Sequence, residues 1–280
     1  MCVRTIPTRA VVAAFALAVM TAPACGGGGS NSTPSSPTAP STPTQPPITG
    51  NACGAIAGLV STSQTIVNGT DCTALTYASS VLKLLIQNSV GEKVACSSTV
   101  IDDNWVLTAA HCLPSGTTLV QVDLGPGPLV VASEFHASPL YSGTGSSSLD
   151  VGVVKFSQSL GHKAVPLLLS RDALRGEQAV IAGYGQSATG SVGVLRAAFV
   201  TVSDVTNAYL VVAASAPTDS AVCQGDSGGP LLISQGGEWA LAGITSSATG
   251  CVVGTSYFAR VNNNEISAFI LGYVPHAGQK

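Results

Sequence analysis

The apolar residues of this chain come in short segments, and their spacing limits the possible folds more than any other feature. After residue 66 the segments are divided by Gly, Ser, Pro and Asn, which is typical of β-strands. Six examples are Val81–Ile86, Trp105–Ala109, Val151–Phe156, Ala179–Ala182, Leu195–Val202 and Leu241–Thr245. Only Asn262–Leu271 has helical spacing, with Ile266, Phe269 and Ile270 on one face. Residues 66–280 therefore predict an all-β fold, a barrel or sandwich arrangement followed by a C-terminal helix.

Composition excludes several other classes of protein. Charged residues make up only 9% of the 280 positions, and the net charge is −3. The cations form no basic stripe, so we expect no nucleic-acid binding, and a coiled coil would need far more Glu, Lys and Arg. The hydrophobic content of 45% excludes disorder of the whole chain. The longest apolar run, Ala10–Met20, is too short to span a bilayer.

Residues 1–24 have the pattern of a secretory signal peptide. Arg4 and Arg9 precede the apolar run, and Ala22-Pro23-Ala24 follows it as a small-residue cleavage site. Cys25 comes next and resembles the lipid-bearing cysteine of bacterial lipoproteins. We expect an exported protein, lipid-anchored at Cys25 in the cell envelope. Ordinary cleavage after Ala24 is the alternative, which gives a secreted protein with an unpaired cysteine.

The segment 25–50 is interpreted as a linker. Of the 25 residues from 26 to 50, 21 are Gly, Pro, Ser or Thr, and none is charged. Such a composition buries too little apolar area to offset the entropy of ordering it, and recurring Pro stiffens it toward polyproline II. We interpret it as a tether that holds a domain away from a membrane. An unanchored tail would have the same composition.

The cysteines indicate disulfides. Apart from Cys2 and Cys25, the chain has six: Cys53, Cys72, Cys96, Cys112, Cys223 and Cys251. An even number behind a secretory signal predicts three bonds in an oxidising compartment, although their spacing does not choose among the possible pairings. No C-x-x-C or H-x-x-x-H spacing occurs, and the stretch 123–134 has few acidic residues, so we expect neither a zinc nor a calcium site.

Three segments contain the residues of a candidate active site: Leu107–Cys112 (LTAAHC), Leu149–Val154 (LDVGVV) and Cys223–Pro230 (CQGDSGGP). In this order they resemble the motifs of the trypsin/chymotrypsin-like serine proteases, over residues 66–280. The resemblance implies two six-stranded antiparallel β-barrels with a C-terminal helix. It also implies a monomeric serine endopeptidase that needs no cofactor and hydrolyses protein or peptide substrates through an acyl-enzyme.

The resemblance assigns a role to each residue of the triad. Ser227 attacks the scissile carbonyl, His111 acts as general base and then as general acid, and Asp150 orients His111. The backbone amides of Gly225 and Ser227 form the oxyanion hole.

Two alternatives stay open at this point. The segment around Ser227 also matches the G-x-S-x-G elbow of α/β-hydrolases, which needs an acid and then a histidine downstream. Downstream of Ser227 the only acidic residues are Glu238 and Glu265, and the only histidine is His276. The order histidine, aspartate, serine in the three motifs therefore favours the protease family. The other alternative is a protease-fold binding protein without turnover. The presence of all three triad residues argues against it.

The resemblance further implies how the cysteines pair, and it locates an activation site. The implied bonds are Cys96–Cys112, Cys223–Cys251 and, from the remaining cysteines, Cys53–Cys72. Ile66-Val67-Asn68-Gly69 resembles the mature N-terminus of the family, whose amino group pairs with the aspartate before the nucleophile, here Asp226. Residues 51–65 are then a candidate pro-segment. Alternatively, Ile66 is part of a strand and Asp226 has another donor.

The substrate-binding positions of the family are occupied here by Ala221, Gln224, Ser246, Ser247, Ala248 and Ser256. Ala221 at the base of the primary pocket cannot pair with Lys or Arg, and Ala248 and Ser256 narrow it where open pockets have Gly. Residues 246–248 would pair with the substrate backbone as an added strand. We predict cleavage after small to medium apolar residues. The alternative is cleavage after large aromatic residues.

Overall fold

The structure is a computed structural model that describes residues 52–57, 69–73, 78–143, 149–187 and 189–280. The predicted signal peptide and linker, including Cys25, and the predicted N-terminus at Ile66 lie outside these residues. The elements, in chain order, are α1 Ala52–Ala57, β1 Thr70–Asp71, β2 Val81–Asn88, β3 Lys93–Asp102, β4 Trp105–Thr108, a 3₁₀ turn Ala110–Cys112, β5 Thr117–Val122, β6 Val130–Ala137, β7 Gly152–Phe156, β8 Gln178–Gly183, β9 Arg196–Thr201, β10 Asp204–Val205, β11 Tyr209–Ala214, β12 Pro230–Gln235, β13 Glu238–Ala248, β14 Gly254–Arg260 and α2 Asn264–Tyr273.

The strands agree with the apolar segments of the sequence. Each of the six segments predicted as a strand overlaps one strand of the structure, and the largest extension is in β13, which runs to Ala248. This extension is polar, Ser246-Ser247-Ala248, so the hydrophobic pattern did not include it. Backbone pairing with β14 makes it a strand, through Ser247 opposite Tyr257 and Ala248 opposite Ser256.

The first group of strands forms a closed six-stranded barrel in the order β2-β3-β4-β7-β6-β5. All of its pairings are antiparallel. Its buried side chains are mainly apolar, and Leu82, Leu84, Leu107 and Phe156 are fully buried. Closure leaves no edge strand, which explains how a barrel of short strands can be stable.

The second group of strands differs in part from the prediction. It forms an eight-stranded antiparallel sheet in the order β1-β9-β8-β12-β13-β14-β11-β10, rather than six strands, because the two-residue strands β1 and β10 add to its ends. β10 follows β9 after only two residues and pairs with β11. The chain therefore passes directly from a strand near one end of the sheet to the strand at its other end. Without β1 and β10, the sheet has the six strands that were predicted for the second barrel. The closure of this barrel stays a prediction.

The C-terminal helix α2 packs against the first barrel. Its first turn is capped by the Asn263 side chain, which accepts the N–H groups of Glu265 and Ile266. Ile266 and Ile270 are fully buried in the cluster that contains the barrel residues. At the last residue of the helix, the Tyr273 ring stacks on His136 of β6 at 4.2 Å between centroids. Within the described residues no helix is long and apolar enough to cross a membrane.

Three disulfides connect these elements: Cys53–Cys72, Cys96–Cys112 and Cys223–Cys251. These are the pairs that the family resemblance implies. Cys53–Cys72 joins α1 to the end of β1, and β1 pairs with β9, so α1 is held against the second sheet. Three bonds in one domain are typical of proteins that fold in an oxidising compartment.

Candidate active site

His111 is held directly after the barrel strand β4. The strand ends at Thr108, and the 3₁₀ turn Ala110–Cys112 carries the imidazole. The disulfide from Cys112 to Cys96 in β3 anchors the far side of this turn. The His111 backbone N–H donates to Asp150 Oδ1 at 3.0 Å, which fixes the turn against the segment before β7.

Asp150 contacts His111 a second time through its other oxygen. The distance from His111 Nδ1 to Asp150 Oδ2 is 2.7 Å, and only 1% of Asp150 is exposed. An ionised carboxylate accepts hydrogen bonds only, so the imidazole hydrogen lies on Nδ1. Nε2 then carries the lone pair that a general base needs.

Asp150 has a third partner from the second sheet, because the Ser246 hydroxyl donates to Asp150 Oδ2 at 2.6 Å. The register of β13 shifts between Thr245 and Ser247, so Ser246 is the extra residue of a β-bulge. A bulge changes the direction of a side chain. Here it directs the Ser246 hydroxyl, from the second sheet, toward the Asp150 carboxylate beside the first barrel.

Two tyrosines, Tyr141 and Tyr209, interact electrostatically with Asp150. Burial, and then the negative charge of Asp150, raises the pKa of the Tyr209 hydroxyl, and its hydrogen bond with Ser246 lowers that pKa in part. Burial and Asp150 likewise raise the pKa of Tyr141, whose ring lies 6.5 Å from that of His111. Neither residue belongs to a sequence motif, so the sequence analysis did not find them.

The turn that contains Ser227 presents its backbone in a defined orientation. The Gln224 carbonyl accepts the Gln186 N–H at 2.8 Å. Since a trans peptide directs its C=O and N–H to opposite sides, the Gly225 N–H points away from Gln186. Gly225 has φ of +93°, which a residue with a Cβ rarely adopts. The geometry fits an oxyanion hole at Gly225.

Ser97 of β3 supports this turn, and sequence analysis did not identify it. Its buried hydroxyl donates to the Gly225 carbonyl at 2.9 Å and accepts the Tyr184 N–H at 2.9 Å. Its backbone N–H donates to the Ser227 carbonyl at 2.8 Å. One barrel residue therefore positions the backbone on both sides of Asp226.

Gly228 explains how the turn approaches the first barrel so closely. Its φ is +82°, and a Cβ there would overlap the Thr108 hydroxyl and the Ser97 carbonyl oxygen. The approach places Ser227 beside the histidine turn, with Cys112 Sγ at 3.8 Å from the Ser227 carbonyl oxygen. Among the described residues, no hydrogen bond joins the Ser227 hydroxyl to His111. The two turns meet instead at the contact of Cys112 with the Ser227 carbonyl oxygen.

Asp226 lies in the middle of the turn and is almost fully buried, with 3% exposed. Its carboxylate accepts the backbone N–H groups of Gly185 at 2.8 Å and Cys223 at 2.9 Å. Burial raises its pKa to about 6, against the lowering effects of these two hydrogen bonds and of the Arg196 charge. Both oxygens thus have a donor within the described residues, and pairing with an amino group at Ile66 stays a hypothesis.

A cavity of about 230 Å³ opens beside Ser227. Among the described residues its lining has no charged side chain and consists of Val222, Cys223, Gln224, Ser227, Thr245, Ser246, Ser247, Ala248, Thr249, Gly250 and Cys251. Four of the predicted substrate-binding residues are among them. Ala221, predicted at the base of the pocket, and Ser256, predicted to narrow it, are buried and do not line the cavity. Ser256 lies behind the lining residue Val222, whose backbone N–H donates to the Ser256 hydroxyl at 3.4 Å.

The end of β13 offers a strand edge next to this cavity. Ser247 and Ala248 pair with β14 on one side only, because β12 pairs with β13 no further than Ile244. In the part of the chain that the structure describes, no strand pairs with the opposite side of 246–248. This edge can accept an extended peptide by strand addition.

One cluster near the site has the residue types of a metal centre. Ligand atoms of Cys96, His111 and Cys112 lie within 4.8 Å of one another. Both sulfurs belong to a disulfide and cannot act as thiolate ligands. The cluster is therefore explained by the bond that anchors the histidine turn.

Comparison with known proteins agrees with this geometry. The family model described as Trypsin matches residues 66–268, nearly three quarters of the chain. The chain belongs to the trypsin family. Among its relatives are vitamin K-dependent protein C of Rattus norvegicus, 28% identical over 57% of this chain and 42% of that protein, and Trypsin 5G1 of Aedes aegypti, 29% identical over 59% of this chain and 69% of that protein.

This trypsin-family chain spans less than half the length of the protein C relatives it matches. Trypsin beta of Drosophila erecta aligns over more of its length, with 29% identity over 66% of this chain and 79% of that protein. The solved structure of HL collagenase is similar in fold, with a TM-score of 0.60 and 24% identity, and it is covered over 99% of its length. The fold is therefore chymotrypsin-like, mostly β with one closed barrel and a C-terminal helix.

Proposed function

We propose that this protein is a serine endopeptidase that uses Ser227, His111 and Asp150 as its catalytic triad. One observation carries the proposal: the buried carboxylate of Asp150 lies 2.7 Å from His111 Nδ1, beside a glycine-framed turn that contains Ser227. A carboxylate–imidazole pair next to a serine is the arrangement that activates a hydroxyl as a nucleophile. Membership of the trypsin family supports the same activity.

The proposed reaction follows from the positions of these groups. His111 Nε2 takes the proton of the Ser227 hydroxyl as its oxygen attacks the scissile carbonyl, and Asp150 stabilises the imidazolium that forms. The N–H groups of Gly225 and Ser227 donate hydrogen bonds to the negatively charged oxygen of the tetrahedral intermediate and stabilise it. His111 then gives its proton to the leaving amine, and water repeats the sequence on the acyl-enzyme.

Labelling with a fluorophosphonate probe tests this proposal. We expect the probe to react with the wild-type protein and not with Ser227→Ala. Ser98→Ala is a matched control, because Ser98 is a buried serine of β3 whose hydroxyl donates to the Leu82 carbonyl outside the site. Labelling of Ser98→Ala but not of Ser227→Ala supports the proposal. A folded wild-type protein that has been cut before Ile66, hydrolyses no peptide and takes up no probe favours the alternative, a binding protein without turnover.

The primary specificity of the enzyme is proposed to be for small to medium apolar residues. The cavity of about 230 Å³ has no charged side chain in its lining, so it offers nothing to pair with Lys or Arg. The free edge of residues 246–248 would hold the substrate backbone. A peptide library tests the preference, and a profile dominated by Lys, Arg or large aromatic residues would contradict it.

The protein is proposed to act outside the cytoplasm, either lipid-anchored through Cys25 or secreted. Three disulfides support export, and residues 1–24 have the pattern of a signal peptide. Mass spectrometry of the mature N-terminus distinguishes the two forms, because a lipid on Cys25 adds a defined mass. An unmodified Cys25 would exclude the anchor.

Activation by cleavage before Ile66 is proposed as the regulatory step. The new amino group would pair with Asp226, whose buried carboxylate is stabilised among the described residues by two backbone hydrogen bonds and the nearby Arg196 charge. The Cys53–Cys72 bond would keep the pro-segment 51–65 attached after the cut. N-terminal sequencing of probe-labelled enzyme tests this step, and labelled protein without an Ile66 terminus would reject it.

A further inference from the structure

The Ser246 hydroxyl, which contacts Asp150, has a second partner from another strand. It donates to Asp150 Oδ2 at 2.6 Å, and it also shares a side-chain hydrogen bond with Tyr209 of β11. A serine hydroxyl has one hydrogen to donate and two lone pairs that accept. Since its hydrogen is given to Asp150, Tyr209 is the donor of the second bond and the Ser246 oxygen is the acceptor.

The register of the second sheet lets Tyr209 reach this hydroxyl from two strands away. Tyr209 of β11 lies opposite Ala259 of β14, and Ala259 lies opposite Ile244 of β13. Residues opposite each other on paired strands share one face of the sheet. Ala259 covers that face with a single methyl group, and Ser246 follows two positions after Ile244. The contact therefore depends on three strands and has no signal in the local sequence.

Other contacts hold Tyr209 in place. Its backbone N–H donates to the Thr206 hydroxyl at 2.9 Å, and its carbonyl accepts the Thr206 backbone N–H at 2.8 Å. Its ring meets that of Tyr257 edge to face, with 5.9 Å between the centroids. A serine hydroxyl rotates to suit its partners, whereas a phenol held at its backbone and ring is a donor of defined position. Such a donor favours the rotamer in which the Ser246 hydrogen points to Asp150.

We propose that Tyr209 is a positioning residue that acts on Asp150 through Ser246. Hydrogen bonds in a chain polarise one another, so donation from Tyr209 strengthens the bond from Ser246 to Asp150. Asp150 in turn lies 2.7 Å from His111 Nδ1 and fixes the tautomer that a general base needs. The proposal rests on the proposed endopeptidase function and extends the chain of groups behind the imidazole by one tyrosine.

Peptide hydrolysis by Tyr209→Phe tests the proposal. The substitution removes the hydroxyl and keeps the ring that packs against Tyr257. We expect kcat to fall about fivefold, which corresponds to one neutral hydrogen bond. KM should stay at the wild-type value, because the backbone of residues 246–248 is unchanged. Titration of active sites with the fluorophosphonate probe gives kcat per active molecule, so a loss of folded protein does not imitate the effect.

A double-mutant cycle with Ser246→Ala shows whether Tyr209 acts through Ser246. In Ser246→Ala the phenol has lost its acceptor, so the further change Tyr209→Phe should leave kcat as it is in that variant. A tyrosine that only supports the packing of the sheet would lower kcat by the same factor in both backgrounds.

Tyr257→Phe is the matched control. Tyr257 of β14 is the ring neighbour of Tyr209, and the substitution removes the same chemical group from the same sheet. Both kcat and KM should equal those of the wild type, because no hydrogen bond between Tyr257 and Ser246 is present among the described residues.

The outcomes separate the two proposals. An unchanged kcat in Tyr209→Phe, a loss that appears in KM instead, a loss that recurs in the Ser246→Ala background, or an equal loss in Tyr257→Phe overturns the role of Tyr209 while leaving an active endopeptidase. A folded wild-type protein that has been cut before Ile66, hydrolyses no peptide and takes up no probe overturns the endopeptidase function, and the role of Tyr209 with it. A loss in kcat that disappears in the Ser246→Ala background supports both.

Discussion

Asp150 and Asp226 are two buried carboxylates that flank the same site, and their surroundings differ in kind. Asp150 is contacted by side chains, the imidazole of His111 at 2.7 Å and the hydroxyl of Ser246 at 2.6 Å. Within the described residues, Asp226 accepts hydrogen bonds from backbone N–H groups alone, those of Gly185 and Cys223. The exposed fractions are similar, 1% and 3%, so burial does not separate them.

The difference shows what each carboxylate can do. Side-chain partners can move or exchange a proton, so the environment of Asp150 suits catalysis. Backbone partners cannot, and the two N–H groups at Asp226 instead fix the path of the turn that carries Ser227. Burial raises the pKa of Asp226 to about 6, although its two backbone hydrogen bonds favour the ionised form.

The largest effect is expected when the side-chain partner of His111 is changed. In Asp150→Asn an amide N–H₂ group faces His111 Nδ1 and favours the tautomer with its hydrogen on Nε2. The matching substitution in a catalytic triad of this family lowers kcat by about 10⁴, and we expect a loss of this order in peptide hydrolysis. Melting temperature serves as the check that the variant is folded.

Glu134→Gln is the control for this prediction. Glu134 Oε1 lies 2.7 Å from His136 Nε2, the same distance as in the pair of Asp150 and His111, but on β6 away from Ser227. Its kcat should equal that of the wild type. A loss of activity in both variants, or in neither, would contradict the distinction between the catalytic pair and an ordinary carboxylate–histidine pair.

The second prediction concerns the pH dependence of stability at Asp226. Its pKa is raised from an ordinary value of 3.8 to about 6 in the folded protein. Between these values the unfolded chain loses the proton that the folded protein keeps, so the free energy of unfolding falls as the pH rises. The loss is on the order of 3 kcal/mol and is complete above about pH 6.

Denaturant unfolding of the wild type and of Asp226→Asn from pH 3.5 to 7.5 measures this effect, with groups common to both cancelling in the difference. The wild type should lose stability relative to the variant between about pH 4 and 6. Parallel curves would contradict it. If the Ile66 amino group pairs with Asp226 after cleavage, the cut form should show a smaller loss, because a positive charge lowers the pKa of the carboxyl.

The smallest effect is expected at Ser246. In Ser246→Ala, Asp150 loses the hydroxyl donor while its contacts with His111 remain. A hydrogen bond to a charged group is worth enough to lower kcat about tenfold, and KM should change little because the backbone of residue 246 is unchanged. Ser98→Ala, which removes a buried hydroxyl bonded to Leu82, is the control. An unchanged kcat in Ser246→Ala would contradict a positioning role.

The sequence predicted the parts of the molecule that depend on local pattern. The apolar segments located six strands, and the helical spacing located α2 to within two residues at each end. The three motifs located His111, Asp150 and Ser227, and the family resemblance implied the three disulfide pairs that the structure contains. These features are local because a strand, a tight glycine turn or a cysteine position needs only its own segment.

Other features could not be predicted because they depend on segments far apart in the chain. Ser97 supports Gly225 from 128 positions away, and Ser246 reaches Asp150 from 96 positions away. Serine is common on exposed surfaces, so neither residue gives a signal of its own. The alignment of motifs likewise did not show that Ala221 and Ser256 are excluded from the cavity lining, because burial depends on how β13 and β14 pack.

The sequence by itself determined which residues are available for the chemistry: a histidine after one strand, an aspartate before another, and a serine in a turn of glycines. Only the tertiary structure decided how they are used. The close approach of Gly228 to Thr108 and Ser97 joins the second sheet to the barrel, and the bulge in β13 directs Ser246 toward Asp150.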